Sequence, residues 1–270
     1  MTMQPFSHTQ VIDDLKTLKS LTLGYAFLNG TYDTIYEAYS SYLKSFGSPH
    51  LKAIGLSKDQ KTCLHAAYEG GAKKYGLDWI PKVRDVLVGS CPMCGNSAVG
   101  TVEHYLPKTP FPEFSVFSWN LVPSCNSCNQ KRGSKHVNGV KQKLLHPIFD
   151  KYILGRLKLV TRFDTSGVVT EFELGFNELD FDPVEQSRIQ AHIMICIDRR
   201  AFKLATNVQI STIAARVAGK KEAGWRSIIE EELAIMHAAN LGYGWAASCL
   251  RGLLEVSQTQ RSAILIPKLL

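Results

Sequence analysis

The spacing of apolar residues predicts helices along residues 1–82. In TQVIDDLKTLKSL and in TYDTIYEAYSSYLKSF, apolar side chains return every three or four positions, as they do on one face of a helix. Gly47 follows the second segment and is a typical stop signal. We therefore predict that residues 1–82 form an N-terminal helical region.

A third helix is predicted from the segment SKDQKTCLHAAYEGGAKKYG. Its Ser57 and Gln60 have the spacing of a capping box, in which each side chain bonds the backbone N–H of the other residue. The second predicted helix carries a stripe of tyrosines: Tyr32, Tyr36, Tyr39 and Tyr42. An aromatic stripe at helical spacing more often packs in a core than binds a ligand, so we assign these rings to the core.

Helical periodicity ends in the middle of the chain, over residues 83–150. Turn-forming residues punctuate this stretch: Pro92, Gly95, Gly100, Pro107, Pro110, Pro112, Pro123 and Gly133. A region with so many turns needs something besides an apolar core to hold it together, and a bound metal is the usual means. We therefore predict a small central module here.

The last region, residues 151–270, begins with a pattern typical of a β-hairpin. The segments RLKLVTRF and VVTEFELGF are rich in strand-forming residues. Between them lies DTSG, and its Gly167 suits a turn. We predict two antiparallel strands at this position.

Helices are predicted for the remainder of the chain. Asp182 and Pro183 suit the N-cap and first position of a helix that runs through VEQSRIQAHIMICIDRRAFKLA. Further helices are predicted through WRSIIEEELAIMHAAN and WAASCLRGLLEV. The predicted fold class is α+β: a mainly helical chain with a small central module and a C-terminal β-hairpin plus helices.

Length and charge change this picture only modestly. The chain has 270 residues, enough for one large domain or a few small ones, and a formal net charge of +7. A polyanionic partner would explain that charge, but a basic surface without such a partner explains it equally well. The N-terminus has no basic stretch followed by an apolar one, and no run of eighteen apolar residues occurs. We therefore expect a cytoplasmic protein without a membrane span.

Cysteine spacing predicts a metal site in the central module. Two Cys-x-x-Cys pairs occur there: Cys91 with Cys94, and Cys125 with Cys128. Zinc takes four ligands at tetrahedral corners, and two such pairs supply them; Gly95 suits the tight turn after the first pair. A redox dithiol would need a surrounding βαβ pattern, which the sequence lacks. We predict a closed structural Zn²⁺ site, and we predict buried thiols for the other cysteines: Cys63, Cys196 and Cys249.

Polar residues that zinc does not explain lie among the cysteine pairs. Glu103 and His104 end a predicted strand, Asn120 precedes the second pair, and Asn129 follows it. Between residues 81 and 146, eight Lys or Arg stand against three Asp or Glu, so most of the surplus charge lies here. A solvated basic helix is one interpretation. The interpretation we favour is phosphate binding by Lys108, Lys131, Arg132 and Lys135.

The run CPMCG…VEHYLPK…NLVPSCNSCNQKRG resembles the HNH endonucleases, the zinc-containing branch of the ββα-metal nucleases. Their signature is a Cys-x-x-Cys pair, an Asp-His that ends the first strand, an Asn-Leu before a second pair, and an Asn or His just after it. The resemblance implies a hairpin and a helix pinned by zinc in residues 83–150. It also implies a divalent cation, Mg²⁺ or Mn²⁺, at the catalytic centre.

The resemblance implies a role for each matching residue. His104 matches the general base that takes a proton from the attacking water. Glu103 matches the acidic ligand of the catalytic metal, although Asp is commoner in the family. Asn129 matches the second metal ligand, and Asn120 matches the residue that braces the loop so that the histidine points correctly. Magnesium prefers oxygen ligands and keeps several waters, so one carboxylate and one amide oxygen suffice beside a substrate phosphate.

A wider run, EHYLPK…FPEF…NLVPSCNSCNQKRG…LLHPIFD, is similar to HNH proteins of bacterial phage defence. In Septu and in some retron systems such a nuclease is paired with an ATPase. The sequence has no P-loop motif, so an ATPase would have to be a partner subunit. The pattern does not distinguish DNA from RNA as the nucleic acid. Two alternatives stay open: a zinc module that binds nucleic acid or protein without catalysis, and a structural zinc protein whose basic helix binds acidic protein.

Overall fold

The computed structural model describes residues 8–70, 75–85, 90–97, 99–137, 143–167, 169–239 and 241–268. It confirms the predicted α+β class, because helices predominate and two small antiparallel sheets accompany them. Contacts divide the chain into a first unit, Thr2–Leu87 with Val99–Lys151, and a second unit, Val88–Ala98 with Tyr152–Leu270. The division into domains at residues 83 and 151 stays a prediction.

The first unit begins with helices α1 (His8–Gly24), α2 (Tyr32–Lys44), α3 (Lys58–Gly70) and α4 (Ile80–Asp85). The predicted capping box starts α3: the Ser57 N–H donates to Gln60 Oε1 at 2.8 Å, and the Gln60 N–H donates to Ser57 Oγ at 3.3 Å. The part of this predicted helix over residues 71–74 lies outside the described residues. Each of these helices buries one face in the unit's core.

The tyrosine stripe of α2 is only partly a core stripe. Tyr39 and Tyr42 are buried and pack on aromatic rings of the central module. Tyr36 is 43% exposed, so its assignment to the core is wrong. A helix turns about 100° per residue, and this turn rotates Tyr36 away from the buried positions of α2. Its ring therefore lies on the solvent side of the helix.

The central module has the order strand, strand, helix that the resemblance implies. Strand β1 (Val99–His104) pairs antiparallel with β2 (Leu121–Cys125), and α5 (Asn126–Arg132) follows without a linker. In the register, Glu103 lies opposite Val122, and His104 lies opposite Leu121. The last two residues of β1 are therefore held by a neighbouring strand, which fixes the backbone that carries both candidate site residues.

The second unit contains the predicted hairpin and a set of helices. Strand β3 (Leu159–Asp164) pairs antiparallel with β4 (Glu171–Phe176), which confirms the hairpin. Helix α6 (Lys151–Arg156) leads into this hairpin from the end of the first unit. The helices after it are α7 (Pro183–Cys196), α8 (Arg199–Val217), α9 (Trp225–Ala238), α10 (Trp245–Glu255) and α11 (Gln258–Leu265). No helix in the described parts of the chain is long and apolar enough to cross a membrane.

The single helix predicted after Pro183 is wrong, because the chain breaks it into α7 and α8. Asp182 does cap α7 as predicted, accepting the N–H of Val184 at 2.8 Å. The break comes at Ile197, which is extended, and at Asp198, whose carboxylate accepts the Arg200 N–H at 2.9 Å. Asp198 is a second N-cap, and a new helix begins after it. The helical spacing of apolar residues continues on both sides of Asp198, so this spacing alone predicted one helix.

Candidate metal centres and active site

The first cysteine pair forms a tight turn in the second unit. The Cys91 N–H donates to Asn96 O at 2.6 Å, while the N–H groups of Cys94 and Gly95 donate to Cys91 O at 3.2 and 2.8 Å. Gly95 adopts a φ of 84°, the left-handed conformation that we predicted for it. Backbone hydrogen bonds within the turn therefore fix its conformation independently of a bound metal.

Helices of the second unit hold this turn by its carbonyl groups. His192 Nε2 lies 2.5 Å from Met93 O, and Trp245 Nε1 donates to Cys94 O at 2.5 Å. Both side chains are buried. A carbonyl oxygen only accepts, so Nε2 of His192 carries its hydrogen. Neither residue was predicted to support the cysteines, because they follow 99 and 151 residues later in the sequence.

The second cysteine pair lies where β2 passes into α5. Cys125 is the N-cap of α5, and its Sγ accepts the N–H of Cys128 at 3.3 Å. Backbone donors to sulfur favour the thiolate over the thiol, since they stabilise negative charge. Both cysteines are 1% exposed. This N–H···S contact therefore prepares Cys125 as a metal ligand.

Three buried sulfur atoms form a group that fits zinc. The Sγ atoms of Cys91, Cys94 and Cys125 lie within 4.8 Å of one another. Tetrahedral zinc with bonds of about 2.3 Å places its sulfur ligands roughly 3.8 Å apart, so small adjustments suffice. The group as described consists of these three atoms, and the role of Cys128 as the fourth ligand stays a prediction. The predicted buried thiols Cys63, Cys196 and Cys249 are confirmed.

Loss of one ligand should release the zinc. We expect Cys91→Ser or Cys125→Ser to reduce bound zinc to well below one equivalent, because serine is a poor zinc ligand and a structural zinc contributes directly to folding. Atomic emission spectrometry and far-UV circular dichroism would measure metal content and folding. Cys63→Ser is the matched control, since this thiol lies in α3 and outside the sulfur group. Full zinc retention in either ligand variant would contradict the assignment.

Arg132 is the centre of a buried network rather than a surface phosphate contact. It is 1% exposed, and its Nη1 donates to Glu103 Oε1 at 3.0 Å. Its Nε donates to Lys135 O at 2.9 Å, and its Nη2 donates to His104 O at 2.8 Å and also to Tyr105 O. The phosphate-binding role predicted for Arg132 is therefore wrong for this conformation, because its donors already serve protein oxygens. Its position instead ties the end of β1 to the end of α5.

Glu103 is a buried carboxyl beside that guanidinium. It is 8% exposed, and burial raises its pKa to about 7 even though Arg132 and Lys108 act in the opposite direction. A carboxyl with this pKa is poised between its two protonation states at neutral pH. A cation bound there would compete with the proton, because ligation requires the ionised form.

Asn129 and Glu103 face the same side of the hairpin. Asn129 Nδ2 donates to Thr101 Oγ1 at 3.5 Å. Thr101 and Glu103 are two positions apart in β1, so their side chains lie on the same face of the strand. Carboxylate and amide oxygens are the donors that Mg²⁺ and Mn²⁺ prefer. Arg132 bonds Oε1 of Glu103, so Oε2 is the oxygen that would take the cation. The donor set fits a hard divalent ion, and this ligand pair stays a prediction.

His104 has a defined tautomer. Its Nε2 lies 2.9 Å from Ser115 O, and a carbonyl oxygen only accepts, so Nε2 carries the hydrogen and Nδ1 keeps its lone pair. Burial lowers the pKa of His104 to about 4, so the ring is neutral at physiological pH. The Tyr68 ring of α3 packs edge-on against it, with ring centroids 4.4 Å apart. Neither Ser115 nor Tyr68 was predicted as a neighbour of His104.

Asn120 clamps the loop between β1 and β2. It is fully buried, and its Oδ1 accepts the Leu106 N–H at 2.7 Å. Its Nδ2 donates to Leu106 O at 3.0 Å and to Phe114 O at 3.2 Å. Leu106 follows His104 by two positions, and Phe114 precedes the Ser115 carbonyl that holds the ring. This geometry supports the predicted bracing role, which stays a prediction as far as catalysis is concerned.

The predicted phosphate-binding lysines lie in two different settings. Lys131 and Lys135 are exposed at the end of α5 and just after it, where a nucleic-acid backbone could reach them. Lys108 pairs with Glu69 Oε1 at 2.5 Å, and its ammonium lies 5.2 Å from the centre of the Tyr68 ring. A phosphate would have to replace the Glu69 carboxylate at Lys108, so that contact is the less accessible of the three.

Comparisons with known proteins give partial matches. No protein-family model matches the chain, and no solved structure matches it. Protein ea31 of Escherichia phage lambda is 39% identical over 112 residues, which cover 40% of this chain and 38% of that protein. Septu protein PtuB of Bacillus thuringiensis is 37% identical over 60 residues, which cover 22% of this chain and 23% of that protein. The match thus spans less than half the length of either relative. The second of these matches supports the resemblance to a Septu protein.

Proposed function

We propose that this protein is a metal-dependent nuclease of the HNH type that hydrolyses phosphodiester bonds in nucleic acid. The observation that carries the proposal is the state of His104, whose Nε2–H is fixed on Ser115 O while Nδ1 keeps its lone pair in a neutral ring. A general base needs such a lone pair to accept the proton of the attacking water. Glu103 directly precedes His104 at the end of β1, and Glu103 and Asn129 supply the oxygen donors that the proposed cation requires.

The residues of the site divide the work of hydrolysis. Nδ1 of His104 accepts a proton from the attacking water as the new bond to phosphorus forms and the bond from phosphorus to the leaving oxygen breaks. Glu103 and Asn129 would hold the divalent cation, which when bound stabilises negative charge on the phosphate and on the leaving oxygen. Arg132 holds Glu103 in place, and Asn120 holds the loop that orients His104.

The remaining features support this chemistry from outside the site. The sulfur group with Cys128 would hold a structural zinc, whose closed shell leaves no position for catalysis. Lys131, Lys135 and Lys108 would bind flanking phosphates, which predicts binding that weakens with added salt. The zinc would therefore stabilise the fold of the central module, and the basic side chains would bind the nucleic-acid backbone at its surface.

A role in anti-phage defence is part of the proposal. The partial identity with Septu protein PtuB supports it. We propose that the protein acts in the cytoplasm with an ATPase subunit as partner, as the resemblance to Septu systems implies. The sequence has no P-loop of its own, so the partner would supply the ATPase.

The catalytic cation should be separable from the zinc. Glu103→Gln retains an oxygen that can accept from Arg132 but removes the charge that a divalent ion needs, so we expect intact folding, full zinc content and cleavage reduced at least about tenfold. Brief EDTA treatment of the wild type should stop cleavage, and Mg²⁺ or Mn²⁺ should restore it. Glu37→Gln is the matched control, since Glu37 is exposed on α2. Cleavage with zinc alone and no added divalent ion would contradict the assignment of a separate catalytic cation.

One observation favours a second candidate, a zinc module that binds nucleic acid without cutting it. Glu103 already has a cationic partner in Arg132, so its carboxylate is partly neutralised without a metal. This candidate predicts salt-dependent nucleic-acid binding by the wild type, with no cleavage under Mg²⁺ in the presence or absence of a Septu-type ATPase. It also predicts that Glu103→Gln changes neither property.

A further inference from the structure

Behind Asn120 lies a chain of buried polar groups that the proposed reaction does not itself require. Tyr42 Oη of α2 lies 3.1 Å from Asn120 Oδ1 and 3.0 Å from His146 Nε2. Tyr42 and His146 are both fully buried. A buried hydroxyl or imidazole costs free energy unless it is hydrogen-bonded, so the partners of these groups define what they do.

The hydrogen bonds in this chain have a single consistent direction. The Ile148 N–H donates to His146 Nδ1 at 3.1 Å, so Nδ1 is unprotonated and Nε2 of the neutral ring carries the hydrogen. His146 Nε2 is therefore a donor, with Tyr42 Oη at 3.0 Å and the Trp119 carbonyl as its acceptors, and the one hydroxyl hydrogen of Tyr42 is left for another acceptor. Asn120 Oδ1 is the nearer acceptor at 3.1 Å, and Trp119 O lies at 3.3 Å.

The end of this chain of hydrogen bonds determines how the Asn120 amide is oriented. Two donors, the Tyr42 hydroxyl and the Leu106 N–H, point at Oδ1 and oppose a flip of the amide group. The amide hydrogens must then point at Leu106 O and Phe114 O. Phe114 is the residue before Ser115, whose carbonyl holds the His104 ring. A loosened Asn120 would therefore loosen the support of His104.

We infer that Tyr42 and His146 are positioning residues for His104, and that they act through Asn120. The inference rests on the proposed function, because the position of His104 limits a rate only if His104 takes a proton. On this inference, Tyr42 of α2, a helix outside the central module, helps to fix the position of the His104 ring. A purely structural pair would instead join α2 to the module, and its loss would lower stability without altering the His104 ring.

Tyr42→Phe tests this with the smallest change, because it removes only Oη. The ring keeps its contacts with Phe114 and Phe117, whose ring centroids lie 4.9 and 5.3 Å away. Tyr39→Phe is the matched control. Tyr39 lies in the same helix, is buried, and stacks on Phe117 at 4.0 Å, while the hydrogen bonds traced above run from Tyr42 and not from it.

We expect single-turnover cleavage at saturating nucleic acid to fall on the order of tenfold or more in Tyr42→Phe, as misplaced catalytic groups do, and to stay within about twofold in Tyr39→Phe. Zinc content and nucleic-acid affinity should not change in either variant. The ¹⁵N spectrum of the imidazoles should show one Nε2–H tautomer for His104 in the wild type and in Tyr39→Phe, and a mixture in Tyr42→Phe. Equal rates and unchanged His104 signals in both variants would overturn the inference.

The spectrum separates this inference from the proposed function. If the wild type cleaves neither with nor without a Septu-type ATPase, the nuclease proposal fails, and the His104 signal alone decides whether Tyr42 positions the ring. Should Tyr42→Phe not fold, the pair His146→Gln and His146→Leu replaces it, because glutamine keeps a donor for Tyr42 Oη and leucine does not. We expect His146→Gln to retain more of the rate and of the single tautomer than His146→Leu. Equal behaviour of these two variants would contradict the inference.

Discussion

Replacing His104 with alanine should slow cleavage by at least about a hundredfold without unfolding the protein. A positioned general base is worth roughly 10²- to 10⁴-fold in rate, and alanine cannot accept the proton. The fold should survive because the strand register of β1 against β2 and the bonds of Asn120 do not depend on the imidazole. Zinc content and salt-dependent nucleic-acid binding should be unchanged, since the cysteines and the lysines are intact.

Single-turnover rates with Mg²⁺, together with zinc analysis and a thermal melt, would check each part of this expectation. His50→Ala is the matched control, because His50 is an exposed histidine in the same unit. Its cleavage rate should equal that of the wild type. Equally rapid cleavage by His104→Ala would remove His104 from the mechanism, and a collapsed melt would show that the ring is needed for folding instead.

Arg132→Met should lower the free energy of unfolding by about 3–5 kcal/mol, the usual cost of breaking a buried ion pair by removing one partner. The change leaves the Glu103 carboxyl buried without its guanidinium, and it also leaves the His104 and Tyr105 carbonyls without this donor. Lys131→Met is the matched control, since the neighbouring side chain is exposed. Its effect should stay within about 0.5 kcal/mol.

Urea denaturation of a double-mutant cycle would measure this effect. Arg132→Met combined with Glu103→Gln should be less destabilised than the sum of the two single changes, because the second change removes the charge that the first leaves unpaired. The two residues touch, so an interaction free energy of about 0.5–3 kcal/mol is expected. A stable Arg132→Met protein whose nucleic-acid binding becomes less salt-dependent would restore the phosphate role first predicted for Arg132.

Features that depend on neighbouring residues could be predicted from the sequence. The capping box at Ser57, the N-cap at Asp182, the hairpin of β3 and β4, and the turn at Gly95 all follow from residues a few positions apart. Their physics is local, because a cap or a turn is decided by backbone groups within one or two helical turns. The same reasoning located the cysteines of the sulfur group.

Features that depend on burial could not be predicted in this way. Arg132 follows Lys131 in a basic run, and nothing in that run distinguishes the buried guanidinium from the exposed ammonium. Tyr42 belongs to an apolar-looking stripe, yet its hydroxyl bonds Asn120, 78 residues later. Which polar atom meets which partner depends on the packing of distant segments, and one sequence contains no direct record of those contacts.

With a hard divalent cation and His104, this site should cleave nucleic acid. The most direct measurement incubates zinc-loaded wild type and His104→Ala with Mg²⁺ and separate pools of plasmid DNA, single-stranded DNA and cellular RNA, with and without a Septu-type ATPase. We expect the wild type to cleave at least one pool in an Mg²⁺-dependent reaction, and we expect a rate at least about a hundredfold lower for the variant. Equal inertness of both proteins in every pool, or equal cleavage by both, would contradict this expectation.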